Sequence, residues 1–240
     1  MTRPFLTARW EELLFLSYRC PAEVLEPLVP DGTILDPWQG QTYLSLVGFH
    51  FGDTRVMGFP IPGHRHFEEV NLRFYVRREV AGQVRRAVVF IRELVPRRAI
   101  ALVARQVYNE PYLAVPMSRR SLVDTGRGGE LEYLWRYRGQ PFGMRATVDG
   151  RLEEPTAGSL AEFITEHYWG YTRQRDGSTL EYRVEHPRWP LWGVASHSIA
   201  GDFRSLFGPV LGEVFLGAPD SVLAAAGSGV TVSAGEKLGT

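Results

Sequence analysis

The chain has 240 residues, 44% of them hydrophobic, with 27 basic and 27 acidic side chains and no formal net charge. That length supports a substantial core in one large domain or two small ones, and the balanced charge provides no field to draw the chain to nucleic acid or an anionic membrane. The only lysine is Lys237 and the only cysteine Cys20, which argues against Schiff-base chemistry on a desolvated amine and excludes both an intrachain disulfide and a cysteine-based zinc site.

Residues Arg9 to Arg19, rich in Trp, Leu, Phe and Tyr, read as a strand buried on both faces. Pro21, followed by Ala22, Leu25, Leu28 and Val29 at helical spacing, predicts a short helix that Pro30-Asp31-Gly32 closes. A brief strand at Ile34 to Asp36, a turn at Pro37 to Gly40 and a long strand from Thr42 to Phe51 follow. Gly58, Pro60, Pro62 and Gly63 make Gly52 to Gly63 a predicted loop hanging over the sheet.

The run Phe67 to Arg77 is the most informative. Period two sends Val70, Leu72, Phe74 and Val76 to one face and Glu69, Asn71, Arg73 and Tyr75 to the other, in steps of about 7 Å. This row of acid, amide, guanidinium and phenol either faces water, where its charge pair is worth at most about 1 kcal/mol, or lines a cavity. In the second case Glu69 and Arg73 are expected to neutralise each other, with Asn71 bridging them.

A turn at Ala81-Gly82 leads to a hairpin partner at Arg85 to Glu93, with Val88, Phe90 and Arg92 on one side and Val89, Ile91 and Glu93 on the other. Ala99 to Val107 is read as a helix, and Leu113 to Met117 as extended chain. Strands are predicted at Leu131 to Arg138 and Phe142 to Asp149, on the outside of the same sheet. Ser159-Leu160-Ala161-Glu162 has the pattern of a capping box and starts a helix from Leu160 to Tyr168. Leu180 to Val184 is a strand, running into an extended connection through two prolines up to Trp192. From Gly217 the composition narrows to Ala, Gly, Ser and Val, which predicts a single domain over 1–216 and a poorly ordered tail over 217–240.

The cluster His64-Arg65-His66-Phe67-Glu68 offers two imidazoles and a carboxylate, but its metal-ligand spacing is incomplete and a surface cluster is the simpler account. His167, His186 and His197 stand singly, as structural histidines do. There is no Gly-x-Ser-x-Gly elbow and no glycine-rich loop followed by lysine, and the arginines interleaved with aromatics at Tyr133 to Arg138 read as surface packing. No cofactor and no metal are expected. A lone thiol and the short apolar run Leu13 to Leu16 fit a cytoplasmic protein without a membrane partner, with homo-oligomerisation left open.

Taken together, Tyr18 to Gly32, Trp38 to Phe49, Glu69-x-Asn71-x-Arg73-x-Tyr75-Val76, Pro111-Tyr112 and His186-Pro187-Arg188-Trp189-Pro190-Leu191 resemble the YqjF-like family of bacterial proteins, over most of the chain up to about Trp192. That family is distantly similar to acetoacetate decarboxylase. The resemblance implies a mainly β (α+β) fold, a closed, cone-like antiparallel β-barrel around a cavity with a few peripheral helices. It further implies that Glu69 matches an active-site glutamate of the decarboxylase pocket. In Ala104 to Tyr112, the counterpart of the segment that carries the Schiff-base lysine, a tyrosine stands in the lysine's place. The pocket arginine of the decarboxylase lies near the N-terminus, where Arg9 and Arg19 are both candidates.

The expectation is a lysine-free relative that binds a small anionic or carbonyl-bearing molecule in an internal polar cavity, as a binder or as an enzyme. Asn71, Arg73, Tyr75 and Arg105 would bind it. In catalysis Glu69 would be the acid/base and Tyr112 the electrophilic donor. The rival expectation is a non-catalytic barrel that acts through its surface, with the polar row as a buried structural network.

Overall fold

A computed structural model of the chain describes residues 4–97, 111–124 and 126–238. The helix expected at Ala99 to Val107 and the binding residue expected at Arg105 lie outside the described residues. The strands are β1 (Leu6–Arg19), β2 (Ile34–Leu35), β3 (Tyr43–Val56), β4 (Phe59–Pro60), β5 (Phe67–Val80), β6 (Gln83–Val95), β7 (Tyr112–Ala114), β8 (Met117–Ser121), β9 (Gly129–Tyr137), β10 (Gln140–Glu153), β11 (Trp169–Arg173), β12 (Thr179–Glu185), β13 (Leu191–Ala200), β14 (Ser221–Val232) and β15 (Glu236–Lys237). Among the described residues four short α-helices accompany them: α1 (Ala22–Leu25), α2 (Leu160–Thr165), α3 (Phe203–Phe207) and α4 (Pro209–Glu213).

Seven strands close on themselves. They are hydrogen-bonded in the order β12-β11-β6-β5-β3-β1-β14, and β14 returns to β12 through Val184↔Val232 and Glu185↔Thr231. The ring is antiparallel except at one seam, where β11 runs parallel to β6 at Trp169↔Ala87 and Gly170↔Val88. Closure leaves no free edge between these strands. A second set, β13-β10-β9-β8, branches from β14 at Leu191↔Ala225 and Trp192↔Ala224. Its Leu131, Tyr133, Trp135, Phe142 and Met144 pack against Leu14, Leu16, Leu46, Leu72 and Phe74 on the outer face of the ring.

This second layer explains why β1 reads as buried on both faces. Leu14, Leu16 and Tyr18 belong to the core between ring and outer layer, whereas Leu13 and Phe15 join Tyr43, Val47, Phe49, Phe51, Phe67 and Tyr75 inside the ring. The same alternation places Glu69, Asn71, Arg73 and Tyr75 on the inner face, none of them more than 7% exposed. α2 starts where its cap predicts: the Ser159 hydroxyl accepts from the Glu162 N–H at 3.2 Å, and the Glu162 carboxylate accepts from the Gly158 N–H at 2.7 Å. It ends at Thr165, earlier than the expected Tyr168, because Trp169 already belongs to a strand.

Two expectations are overturned. The loop over Gly52 to Gly63 is largely a hairpin, with β3 continuing to Val56 and turning at Met57 and Gly58, both at positive φ, into β4. The disordered tail is instead the strand that completes the ring, with β14 paired to β1 from Leu6↔Val232 to Ser17↔Ser221. Its small residues answer to close packing: Ala224 and Ala225 are fully buried, and a Cβ on Gly227 would run into the Trp10 carbonyl.

Candidate functional site

Inside the ring lies a cavity of about 250 Å³. β5 supplies Glu69, Asn71 and Arg73 to its wall, β3 supplies Val47, Phe49 and Phe51, and β1 supplies Trp10 and Leu13. The Glu69 carboxylate accepts from Asn71 Nδ2 at 3.0 Å and from the Tyr112 hydroxyl at 3.2 Å. Tyr112 reaches it because β7 lies parallel to β6 with Glu93↔Tyr112 in register, and Glu93 in turn faces Asn71.

Glu93 is a wall residue that simple alternation misplaces. Period two along β6 puts it opposite Val88 and Phe90, yet all three line the cavity. The register shifts between Leu72↔Arg92 and Arg73↔Phe90, leaving Ile91 as the extra residue of a bulge. A bulge reverses the facing of everything beyond it. Nothing in the local sequence marks this one.

Arg73 corrects the expected charge pair. Among the described residues no carboxylate lies within 4.0 Å of its guanidinium, Glu69 included. Four strand positions separate the two, a rise of about 13 Å, and strand side chains stand roughly perpendicular to the sheet. The guanidinium carbon lies 5.2 Å from the centre of the Phe15 ring and 5.9 Å from that of Tyr75. Arg73 Nε and Asn71 Oδ1 are both buried without a hydrogen-bond partner among the described residues.

Tyr75 shares the face but does not line the cavity. Its hydroxyl is bonded at 2.7 Å to Ser45 Oγ, which is bonded at 2.7 Å to Ser17 Oγ, and its ring packs on Phe163 and His167 at 5.2 and 4.6 Å. The substrate contact expected from it is therefore replaced by a tie within the wall.

His167 and His186, expected to be structural, both line the cavity. Burial holds the His167 imidazole down to about 4, with Arg73 and Arg86 pushing the same way and Asp36 opposing them. It is thus neutral at physiological pH, and neither ring nitrogen has a hydrogen-bond partner among the described residues. Asp36 lies 3.9 Å behind it, too far for a hydrogen bond, and is held by Arg86 at 2.9 Å. Burial alone would raise the Asp36 carboxyl, but the Arg86 guanidinium bonded to it works the other way, and the carboxyl stays below its ordinary range. His186 stacks on Trp189 at 3.9 Å, and burial lowers its pKa as well.

The profile of a family described as DUF2071, uncharacterized conserved protein, matches residues 7–228. The chain belongs to the DUF2071 family. Over 182 residues it is 26% identical to the uncharacterized protein YqjF of Bacillus subtilis (strain 168), a match that covers 74% of this chain and 72% of YqjF. Its fold is similar to that of acetoacetate decarboxylase from Legionella pneumophila subsp. pneumophila str. Philadelphia 1, at 13% identity and a TM-score of 0.67, covering 98% of this chain and 87% of the other. It is also similar to the enduracididine biosynthesis enzyme MppR complexed with pyruvate, at 16% identity and a TM-score of 0.64, covering 100% and 92%. At such identities the likeness is one of fold.

Most other candidate residues of this DUF2071 protein lie away from the cavity wall. Arg9 and Arg19, the candidates for a pocket arginine, are largely exposed and paired with Glu11 and Asp220. Lys237 pairs with Asp176 at 2.5 Å on the surface. Of the histidine cluster, His64 lines the cavity and its Nδ1 is 2.8 Å from the Pro62 carbonyl, while His66 stacks on His50 at 6.0 Å. Among the described residues there is no group of three His, Cys, Asp or Glu that could hold a metal, and no helix long and apolar enough to cross a membrane.

Proposed function

We propose that this DUF2071 protein binds a small anionic, carbonyl-bearing molecule inside the ring, with its anionic group at Arg73 and its body beside Glu69 and Tyr112. The observation that carries this reading is a guanidinium only 7% exposed with no carboxylate partner among the described residues. Burying a charge costs several kcal/mol, and the two aromatic faces return roughly 0.5 to 2 kcal/mol. An entering carboxylate would supply the missing charge through paired N–H···O bonds. Support also comes from MppR, a protein of similar fold whose structure was solved complexed with pyruvate. A purely structural network would be expected to tie Arg73 to an acid. The Ser17–Ser45–Tyr75 chain is such a network, and Arg73 stands outside it.

This reading covers a binder and an enzyme alike. In turnover Glu69 moves the proton, and the Tyr112 hydroxyl, already 3.2 Å from it, donates to a carbonyl oxygen. The chemistry is enolisation or lyase-type without an imine, since the only lysine is held in a surface ion pair.

A thermal-shift panel of oxo acids, from 2-oxo and 3-oxo acids to acids with the carbonyl further along the chain, tests the reading. The wild type is expected to gain several degrees with at least one acid, an amount that ligand at 100 times its Kd supplies through about 2.7 kcal/mol of linkage, and Arg73→Met is expected to gain nothing. Equal gains in both proteins would remove the anion role of Arg73. Borohydride added to the same mixtures is expected to leave the mass unchanged, and an adduct mapped within residues 5–215 would contradict the imine-free chemistry.

A further inference from the structure

The inner wall is ordered along one strand. From Arg73 the same-face positions of β5 run to Asn71, Glu69 and Phe67, in steps of about 7 Å. Across on β3 they face Ser45, Val47, Phe49 and Phe51 in register. The cation therefore stands at one end of the row, and beyond Glu69 the other end is aromatic and uncharged. Phe51 and Phe67 stack at 4.4 Å, and Trp10 closes on Phe49 and Phe51 at 5.2 and 5.8 Å. The apolar lining continues through Val56 and Ile61, beside the exposed Met57 and Phe59 of the β3–β4 hairpin.

A cavity of about 250 Å³ has room for roughly eight water-sized groups at ~30 Å³ each. A two- or three-carbon acid held at Arg73 would leave most of it empty and the aromatic end untouched. The cavity lining holds the carboxylates of Glu69 and Glu93 but only one guanidinium and no lysine among the described residues, so a negatively charged head has one place to sit, at Arg73.

Resting on the reading proposed above, we infer that the ligand is an elongated amphiphilic carboxylate. Its head lies at Arg73, its chain passes Glu69 and Tyr112, and its apolar end reaches the stack of Phe51 and Phe67. A methylene or aryl body fits this path, whereas a compact, polar keto acid uses only its first third.

Isothermal titration of the full chain with straight-chain carboxylates from butanoate to dodecanoate, and with the matching primary alcohols, tests the inference. Each added methylene buried should tighten Kd about fourfold, so octanoate should bind roughly 200-fold tighter than butanoate, and the gain should continue through dodecanoate as the chain approaches the stack of Phe51 and Phe67. A flat series in which the acids still bind better than the alcohols would overturn the elongated ligand and leave the anion site standing. A steep series in which alcohols match acids, or in which Arg73→Met keeps the wild-type affinity, would overturn the anion site and the orientation with it. No binding by any acid at millimolar concentration would overturn both.

Discussion

At the scale of single residues, the wall of the cavity makes a prediction about pH. Burial first, then Arg73 and Arg86, hold the His167 imidazole at about 4 against the pull of Asp36, while the unfolded chain titrates near 6.5. As pH falls the unfolded state therefore takes up its proton first. The stability tied to the neutral imidazole is complete above about pH 6.5 and is lost as the pH drops towards 4. Two to three pKa units amount to a loss on the order of 3 kcal/mol. Urea unfolding between pH 7 and 4.5 should show this slope in the wild type and a clearly smaller one in His167→Gln, and equal slopes would mean that the imidazole is not held neutral by burial. The period-two row of Glu69, Asn71, Arg73 and Tyr75 was legible in the sequence, because alternation is a local property. The partners were not. Strand rise keeps Arg73 from Glu69, a neighbouring strand takes up the Tyr75 hydroxyl, and a bulge at Ile91 turns Glu93 inward.

At the scale of elements, the contact between ring and outer layer depends on Gly48. A Cβ there would stand 2.7 Å from Tyr133 Cδ2 and 3.2 Å from Met144 Sδ. Tyr133 is fully buried and its hydroxyl is tied to the Glu12 carbonyl at 2.7 Å, so it has little room to yield. Gly48→Ala should therefore cost about 1 to 3 kcal/mol, a fall in Tm of roughly 2 to 10 °C. A variant that melts with the wild type would mean that the second layer does not press on β3 at this point. Strands that alternate, such as β5 and β9, were foreseeable from their own residues. The hairpin at Met57–Gly58 was hidden by the glycines and prolines around it, which mark a tight turn as readily as a loop.

At the scale of the whole molecule, closure decides the fold. β14 pairs with β1 along its length and touches β12 and β13 at its two ends, so one segment joins the ring and carries the outer layer. A chain shortened to residues 1–216 should lose cooperative thermal unfolding and near-ultraviolet circular dichroism, since removing β14 exposes β1, with its buried Leu13, Leu14, Phe15 and Leu16, along one edge. A folded, cooperative 1–216 would show that the ring closes without it. Composition misled here for a physical reason: Ala, Gly and Ser suit a disordered tail and also suit a strand that must lie close against its neighbours. Pairing between residues more than 200 positions apart leaves no local trace.

The central claim is that Arg73 is a buried cation awaiting an anion rather than half of a structural pair, and the stability of ligand-free Arg73→Met tests it without knowledge of the ligand. An uncompensated buried charge replaced by an apolar side chain of similar length should leave the unfolding free energy unchanged or raise it by about 1 to 4 kcal/mol. A loss of about 3 to 5 kcal/mol, the cost of breaking a buried ion pair, would contradict the account and return Arg73 to a structural network.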